Sequence, residues 1–100
     1  MIFDTLENLV VLHLVDDRSN KVWGRFQYGA KYYAFWGGIN QAMSFKSHGQ
    51  WQWDLDKLMD QKRNKGYKTT SVGDLLQLNP QFSQTFSERF SWFVLSDSTP

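Results

Sequence analysis

The side chains of this sequence that are best suited to chemistry are basic residues interleaved with aromatic rings. Ten of the eleven lysines and arginines, and eleven of the seventeen aromatic residues, lie between residues 18 and 68. This block contains only three acids and has a formal charge of +7, although the whole chain has only +1. Cations contact phosphate oxygens and flat rings stack on sugars or bases, so the combination is typical of a nucleic-acid-binding surface. The alternative is a solvated basic face over an aromatic core.

We predict that a basic, aromatic face of a β-sheet carries this binding. Successive residues point to opposite faces of a strand, so a hairpin of residues 21–28 and 31–36 would bring several of these side chains together. Trp36 is the predicted stacking ring, with a place in the core as its alternative. The predicted nucleic-acid contacts are Lys21, Arg25, Lys31, Trp36, Lys46, Lys62, Arg63, Lys65 and Lys68. The four bases from residue 62 onward would form a basic helix end or, alternatively, a solvated face.

Catalysis finds little support in the sequence. The chain has no cysteine and only two histidines, His13 and His48, which excludes a thiol nucleophile and zinc sites built on Cys and His. It contains no phosphate-binding glycine loop, no nucleophile elbow and no dinucleotide-binding glycine pattern. We therefore expect a protein that is not an enzyme and that uses no cofactor, no metal ion and no small-molecule substrate.

Length and hydropathy indicate one cytoplasmic domain. One hundred residues suffice for one modest core, so residues 1–100 are predicted to form a single domain. No apolar stretch approaches the ~18 residues of a membrane span, and we expect no membrane partner. The first residues lack the basic region of a signal peptide. The absence of cysteine is compatible with a reducing cytoplasm.

Hydrophobic periodicity predicts an antiparallel sheet of three or four strands. Residues 8–15 form a short apolar run that is typical of a buried strand, although a helix over residues 3–15 competes with it. Residues 21–28 alternate between the two faces, and residues 31–36 add a second aromatic strand, as a hairpin requires. Residues 39–47 predict a further strand.

The period changes to that of a helix after residue 50. Residues 54–65 predict a helix that packs on the sheet, with Asp54 as its N-cap and Gly66 just beyond its end. A C-terminal helical extension is predicted over residues 72–95, within a helical tail of residues 71–100. The fold class is therefore α+β.

The aromatic residues outside the binding prediction have several expected places. Trp23 and Trp51 are predicted core residues, and Trp53 is open between surface packing and a ligand contact. A stripe at helical spacing along the tail consists of Phe82, Phe86, Phe90 and Phe93. It predicts an amphipathic helix that packs on the sheet. This is more phenylalanine than one small sheet face needs. We therefore also predict that Phe86, Phe90 and Phe93 form a surface for a protein partner or a second copy.

Residues 20–70 resemble the WGR domain, an antiparallel-sheet module known from DNA-dependent poly(ADP-ribose) polymerases and from short bacterial proteins. Residues 20–27 resemble the opening strand of that family. Residues 32–39 occupy the place of the strand with the Trp-Gly-Arg signature, and residues 58–67 follow the family's helix, including its terminal Gly-Tyr. The literal Trp-Gly-Arg at residues 23–25 lies in the preceding strand.

The resemblance implies a role for one residue in particular. In the polymerases the signature tryptophan packs on the sugar at a DNA end, and Trp36 matches it. The signature arginine, which helps couple DNA to other domains, is replaced by Gly38. We therefore predict a non-catalytic nucleic-acid-binding module, of bacterial or phage origin, that prefers duplex DNA or DNA ends. The alternative is a small protein-interaction module, or a phage-type regulator or inhibitor, that docks through its aromatic surface or its Phe-rich C-terminal helix.

Overall fold

The computed structural model describes residues 2–50 and 52–96, and it has the predicted α+β architecture. Five antiparallel strands form one sheet in the order β4–β3–β2–β1–β5. The strands are β1 (Glu7–Val15), β2 (Asn20–Tyr28), β3 (Lys31–Gly38), β4 (Ser44–Ser47) and β5 (Lys68–Thr70). The helices are α1 (Gln52–Asn64), α2 (Val72–Leu78) and α3 (Phe82–Phe90), with a 3-10 helix at Ile2–Thr5 and a π-helical turn at Ser91–Leu95. Trp51, a predicted core residue, and residues 97–100 of the predicted tail lie outside the described residues.

The structure differs from the predicted elements at three points. The sheet has five strands rather than three or four, because β5 pairs with the outer edge of β1. The predicted strand over residues 39–47 is shortened to β4, since the chain turns just after β3, where the amide of Gln41 donates to the carbonyl of Gly38. The helix α1 begins at Gln52, so Asp54 lies in its first turn and is not its N-cap.

One face of the sheet, which we call the α1 face, is covered by α1. Leu12, Trp23 and Ala34, one from each central strand, are buried there against Leu55 of α1 and against Tyr67. Trp23 is only 2% exposed, which confirms that it is a core residue. The middle of this face is therefore closed to solvent, and only its ends remain open.

The opposite face, which we call the α3 face, packs against α2 and α3. Its buried cluster contains the phenylalanines Phe3, Phe26, Phe35, Phe82, Phe86 and Phe90. At the end of the stripe Val94 is buried and Phe93 is 43% exposed. A π-helical turn has more residues per turn than an α-helix, so it shifts the positions that follow and lets Val94, rather than Phe93, continue the buried stripe.

Gly24 of β2 is required by the ring that packs over it. Phe35 is its cross-strand partner, and a Cβ at position 24 would overlap the Phe35 ring. We expect Gly24→Ala to lower the free energy of unfolding by about 1–3 kcal/mol, because the ring must move within a packed core. Gly73→Ala in α2 is the control, since its Cβ would meet nothing closer than 3.8 Å. The control should gain up to about 1 kcal/mol from the helix propensity of alanine. Equal midpoints for both variants in urea denaturation would contradict this explanation.

Candidate functional site

An open cavity of about 480 Å³ lies at the end of the sheet where β2 begins and β3 ends. We call it the Trp36 cavity. Its cationic and aromatic lining residues are Arg18, Lys21, Trp36, Lys62 and Tyr67. No acidic residue lines it within the described part of the chain, although Asp16 and Asp17 lie in the adjacent β1–β2 loop. The cavity therefore combines the two side-chain types that the sequence analysis associated with nucleic-acid binding.

Trp36 reaches this cavity because it lies near the end of β3, beyond the part of the sheet that α1 covers. Its cross-strand partner is Trp23, and cross-strand partners share a face of the sheet. Trp23 is buried, whereas Trp36 is 40% exposed. Trp36 is therefore not a core residue, and its ring is accessible to a ligand in the cavity.

The end of α1 carries Lys62 into the same cavity. Gly66 has a φ of 105°, which glycine adopts without steric strain, and it follows the end of the helix as predicted. The chain then folds back, so the amide of Tyr67 donates to the carbonyl of Lys62 at 3.1 Å. The Lys62 ammonium lies 5.5 Å from the centre of the Tyr67 ring, which is a cation–π distance.

Three lysines create a positive potential at this cavity. Burial lowers the pKa of Lys62, and the positive charges of Lys65 and Lys21 lower it further. A bound anion would offset both effects, because it favours the charged form of the ammonium group. Burial also raises the pKa of Tyr67, so its phenol stays neutral near pH 7. The cavity is therefore better suited to an anion than to a cation.

The charge of Lys62 should favour ligand binding but lower the stability of the fold. We expect Lys62→Met to leave the melting temperature unchanged or raised, because it removes a partly buried charge that is repelled by Lys65 and Lys21. Methionine keeps an apolar contact with the Tyr67 ring. The same variant should bind anions more weakly. Thermal melts at low and high salt would measure the first effect, with any gain larger at low salt because salt screens the repulsion.

The exposed Lys57 of the same helix provides the control for that measurement. Lys57→Met removes an equal charge at a position outside the Trp36 cavity. A melting temperature that falls more for Lys62→Met than for Lys57→Met would contradict the expected cost of the Lys62 charge.

The other predicted cations are spread over the molecule. Lys46 lines a separate cavity beside α1, and Lys68 lines a third cavity beside β5. Lys31 lies at the opposite end of β3 and on the α3 face. Arg63 donates to the hydroxyl of a β5 threonine at 3.1 Å. Of the nine predicted contacts, the structure places only Lys21, Trp36 and Lys62 in the lining of one cavity, with Lys65 close enough to influence Lys62.

Arg25 is not available to a phosphate group in this structure. It shares the α1 face with Lys21, as the alternation predicted, but it lies beneath α1. Its Nη1 is 2.9 Å from Oδ1 of Asp56 on that helix, and its side chain is only 11% exposed. The structure therefore does not favour the predicted contact of Arg25 with nucleic acid, because its guanidinium is held in an ion pair between the sheet and α1.

The structure contradicts the predicted partner surface at two of its three residues. Phe86 and Phe90 are 0% and 1% exposed, because α3 lays them onto the sheet, and they cannot form a partner surface. Phe93 is 43% exposed and keeps that possibility. Trp92 and Leu95, which the sequence analysis did not single out, lie exposed on the same π-helical turn. The exposed apolar side chains of the last helix therefore lie at its end and not along its buried stripe.

Of the cationic and aromatic side chains that line the Trp36 cavity, sequence reasoning missed two, Arg18 and Tyr67. Each stands at a chain reversal next to a predicted cation: Arg18 in the loop before Lys21, and Tyr67 after the helix that carries Lys62. The turn residues around them were visible in the sequence. Their convergence was not, because it depends on how α1 lies across β2 and β3.

A metal-binding cluster and a membrane-spanning helix are both absent from the described residues. Among residues 2–50 and 52–96, no three His, Asp or Glu side chains gather where they could hold a metal ion. None of the helices in these ranges is both long and apolar enough to span a membrane.

No family model matches the chain, and no curated protein and no solved structure is significantly similar to it. Function must therefore be inferred from the geometry of the Trp36 cavity.

Proposed function

We propose that this chain is a non-catalytic nucleic-acid-binding module that binds DNA, with a preference for duplex ends, in the Trp36 cavity. The observation that carries the proposal is an exposed tryptophan in one cavity with Arg18, Lys21 and Lys62, and with no acid among its described lining residues. In this proposal the Trp36 ring packs on a sugar or base at the end of a strand. The three cations bind the adjoining phosphate groups.

The resemblance of residues 20–70 to the WGR domain supports the same assignment. It matches Trp36 to the tryptophan that packs on a sugar at a DNA end, and Trp36 is the exposed ring of the cavity. Gly38, which replaces the signature arginine, lies in the lining close to the side chain of Gln41. Arg18 brings a guanidinium group to the cavity from the β1–β2 loop instead.

Fluorescence anisotropy with a labelled hairpin DNA tests the proposal. Three cations that each neutralise one phosphate should give a slope of about −2.7 for log K against log salt on duplex DNA. A closed dumbbell DNA of the same stem sequence has no end and should bind more weakly than the open hairpin. Absence of hairpin binding at ~50 mM salt would overturn the proposed function, since electrostatic contacts are strongest at low salt. Equal binding of both DNAs would overturn the preference for ends.

A protein-interaction module is the second candidate, and one observation favours it. Trp92, Phe93 and Leu95 are exposed together on the π-helical turn, at 75%, 43% and 40%. Exposed apolar patches of this kind often mark interaction sites. Size-exclusion chromatography with light scattering at several concentrations tests self-association. A strict monomer whose elution is unchanged by Trp92→Ser would remove the second copy as the partner.

A further inference from the structure

A second cavity lies beside the Trp36 cavity, between α1 and the end of β4. Its volume is about 330 Å³, and it is lined by Lys46, His48, Asp54, Lys57, Leu58 and Gln61. The four α1 positions are spaced as one face of a helix, which shows that this side of α1 forms a wall of the cavity. Two lysines face one carboxylate here, so the formal charge is positive even with a neutral histidine. We call it the Lys46 cavity.

The two cavities adjoin on the same face of the sheet. On α1, Gln61 lines the Lys46 cavity and the next residue, Lys62, lines the Trp36 cavity. On the sheet, Trp36 pairs with Ser44, which lies two residues before Lys46 on the same face of β4. The two cavities therefore follow each other beside α1 on this face of the sheet, and we call them together the groove.

The cations of this groove belong to two successive cavities. Lys57 and Lys62 are five positions apart on α1, which is about 7.5 Å along its axis and about 140° around it. They therefore place their charges in different cavities, Lys57 in the Lys46 cavity and Lys62 in the Trp36 cavity. A cavity of about 330 Å³ accommodates one nucleotide but is far too small for a duplex.

We propose that the groove binds a single-stranded segment of at least two nucleotides, with one nucleotide at Trp36 and the phosphate of the next between Lys46 and Lys57. This inference rests on the proposed function and adds a second subsite to it. The occupant is the frayed or overhanging strand at a DNA end, because the volume of the Lys46 cavity suits one nucleotide. The Lys46 cavity supplies an additional phosphate contact and so makes binding depend on strand length.

His48 gives this subsite a pH dependence of its own. Burial lowers the pKa of His48, Lys46 lowers it further, and Asp54 of α1 opposes them. Lys57 is the other charged group that lines this cavity. A phosphodiester bound here would favour the protonated imidazole, so binding takes up a proton and should strengthen as the pH falls below the ordinary pKa of histidine.

The test uses the full chain and 5′-phosphorylated oligothymidylates of one and four nucleotides, titrated by two-dimensional NMR. The tetranucleotide should bind at least about tenfold more tightly than the mononucleotide, as expected for one further charge-assisted contact. The double variant Lys46→Gln and Lys57→Gln should lose this gain while its affinity for the mononucleotide is unchanged. Its slope of log K against log salt should become less negative by about 0.7 on the single strand, because one phosphate contact is lost.

Two further variants complete the test. Lys31→Gln removes a charge on the α3 face and should leave the length dependence intact. His48→Gln should abolish the gain in tetranucleotide affinity at low pH. Equal affinity of the wild-type chain for both lengths, or an equal loss for both lengths in the Lys46/Lys57 variant, would overturn the second subsite while hairpin binding upholds the proposed function. Failure of every nucleic acid to bind would overturn both.

Discussion

Replacement of Trp36 by alanine should weaken binding of hairpin DNA by about 5- to 150-fold. Stacking of one base or sugar on an aromatic ring is typically worth about 1–3 kcal/mol, and this range of affinities follows from it. The ring is 40% exposed, so its removal leaves the buried core on both faces of the sheet intact. Fluorescence anisotropy at fixed salt measures the loss. A thermal melt of the variant shows that the fold is retained.

Trp53→Ala is the matched control for this result. Trp53 is 63% exposed and lies on α1 outside the Trp36 cavity, so its removal should change affinity less than twofold. The sequence analysis left Trp53 open between surface packing and a ligand contact, and this comparison decides between them. If both variants lost affinity equally, stacking in the Trp36 cavity would not explain binding.

The cations of the cavity should act through the salt dependence of binding rather than through stacking. Lys21→Gln combined with Lys62→Gln should make the slope of log K against log salt less negative by about 1.8 on duplex DNA. Trp36→Ala should leave that slope unchanged, because it removes no charge. A double lysine variant with the slope of the wild type would show that the phosphate groups lie elsewhere.

Replacement of Phe86 by alanine should lower the free energy of unfolding by about 3–5 kcal/mol. Phe86 is fully buried at the centre of the α3 face. Its ring contacts the rings of Phe3, Phe26, Phe35, Phe45, Phe82 and Phe90. Alanine would leave a cavity among rings that belong to the 3-10 helix, the sheet and α3, and these elements cannot all close around it. Domains of this size are stable by only about 5–15 kcal/mol, so the variant would be close to unfolding at room temperature.

Phe93→Ala is the control for the core prediction, because Phe93 belongs to the same stripe in the sequence but is 43% exposed. It stacks on Phe45 and lies under the Arg89 guanidinium, so we expect a loss of about 1 kcal/mol. Urea denaturation gives both values from the midpoint and slope of the transition. A small loss in the free energy of unfolding for Phe86→Ala, together with a change in oligomeric state, would indicate that Phe86 belongs to a partner surface instead.

Much of the fold could be predicted from local pattern. Alternation in residues 21–28 and an apolar run in residues 8–15 correspond to β2 and β1. The helical spacing of Leu55 and Leu58, with Gly66 beyond them, corresponds to α1. The pairing of β5 with β1 was not predicted. Three polar residues are too few to show a hydrophobic period, and their pairing with β1 is a long-range contact. The shortened β4 was missed because a turn at residues 39–43 was masked by apolar residues.

Alternation predicted which of the candidate binding side chains share a face of the sheet, but it did not predict which of them stay open to solvent. Pairing places Lys21, Arg25 and Trp36 on one face of the sheet, as alternation predicted. These residues differ in their position relative to α1. The helix covers Arg25 but leaves Trp36 exposed at the open end of the sheet. A strand pattern specifies which side chains share a face, but it contains no information on where a helix will cross that face.

The sequence by itself therefore determined the fold class, the hairpin and the helix, because these follow from periods of two and 3.6 residues that local backbone geometry imposes. It also determined that bases and aromatic residues are concentrated in one half of the chain. Only the tertiary structure decided that Phe86 is core and Arg25 is paired, and that Trp36, Lys21 and Lys62 meet in one cavity. Those outcomes depend on contacts between residues far apart in the chain, which arise when α1 and α3 bury opposite faces of the same sheet.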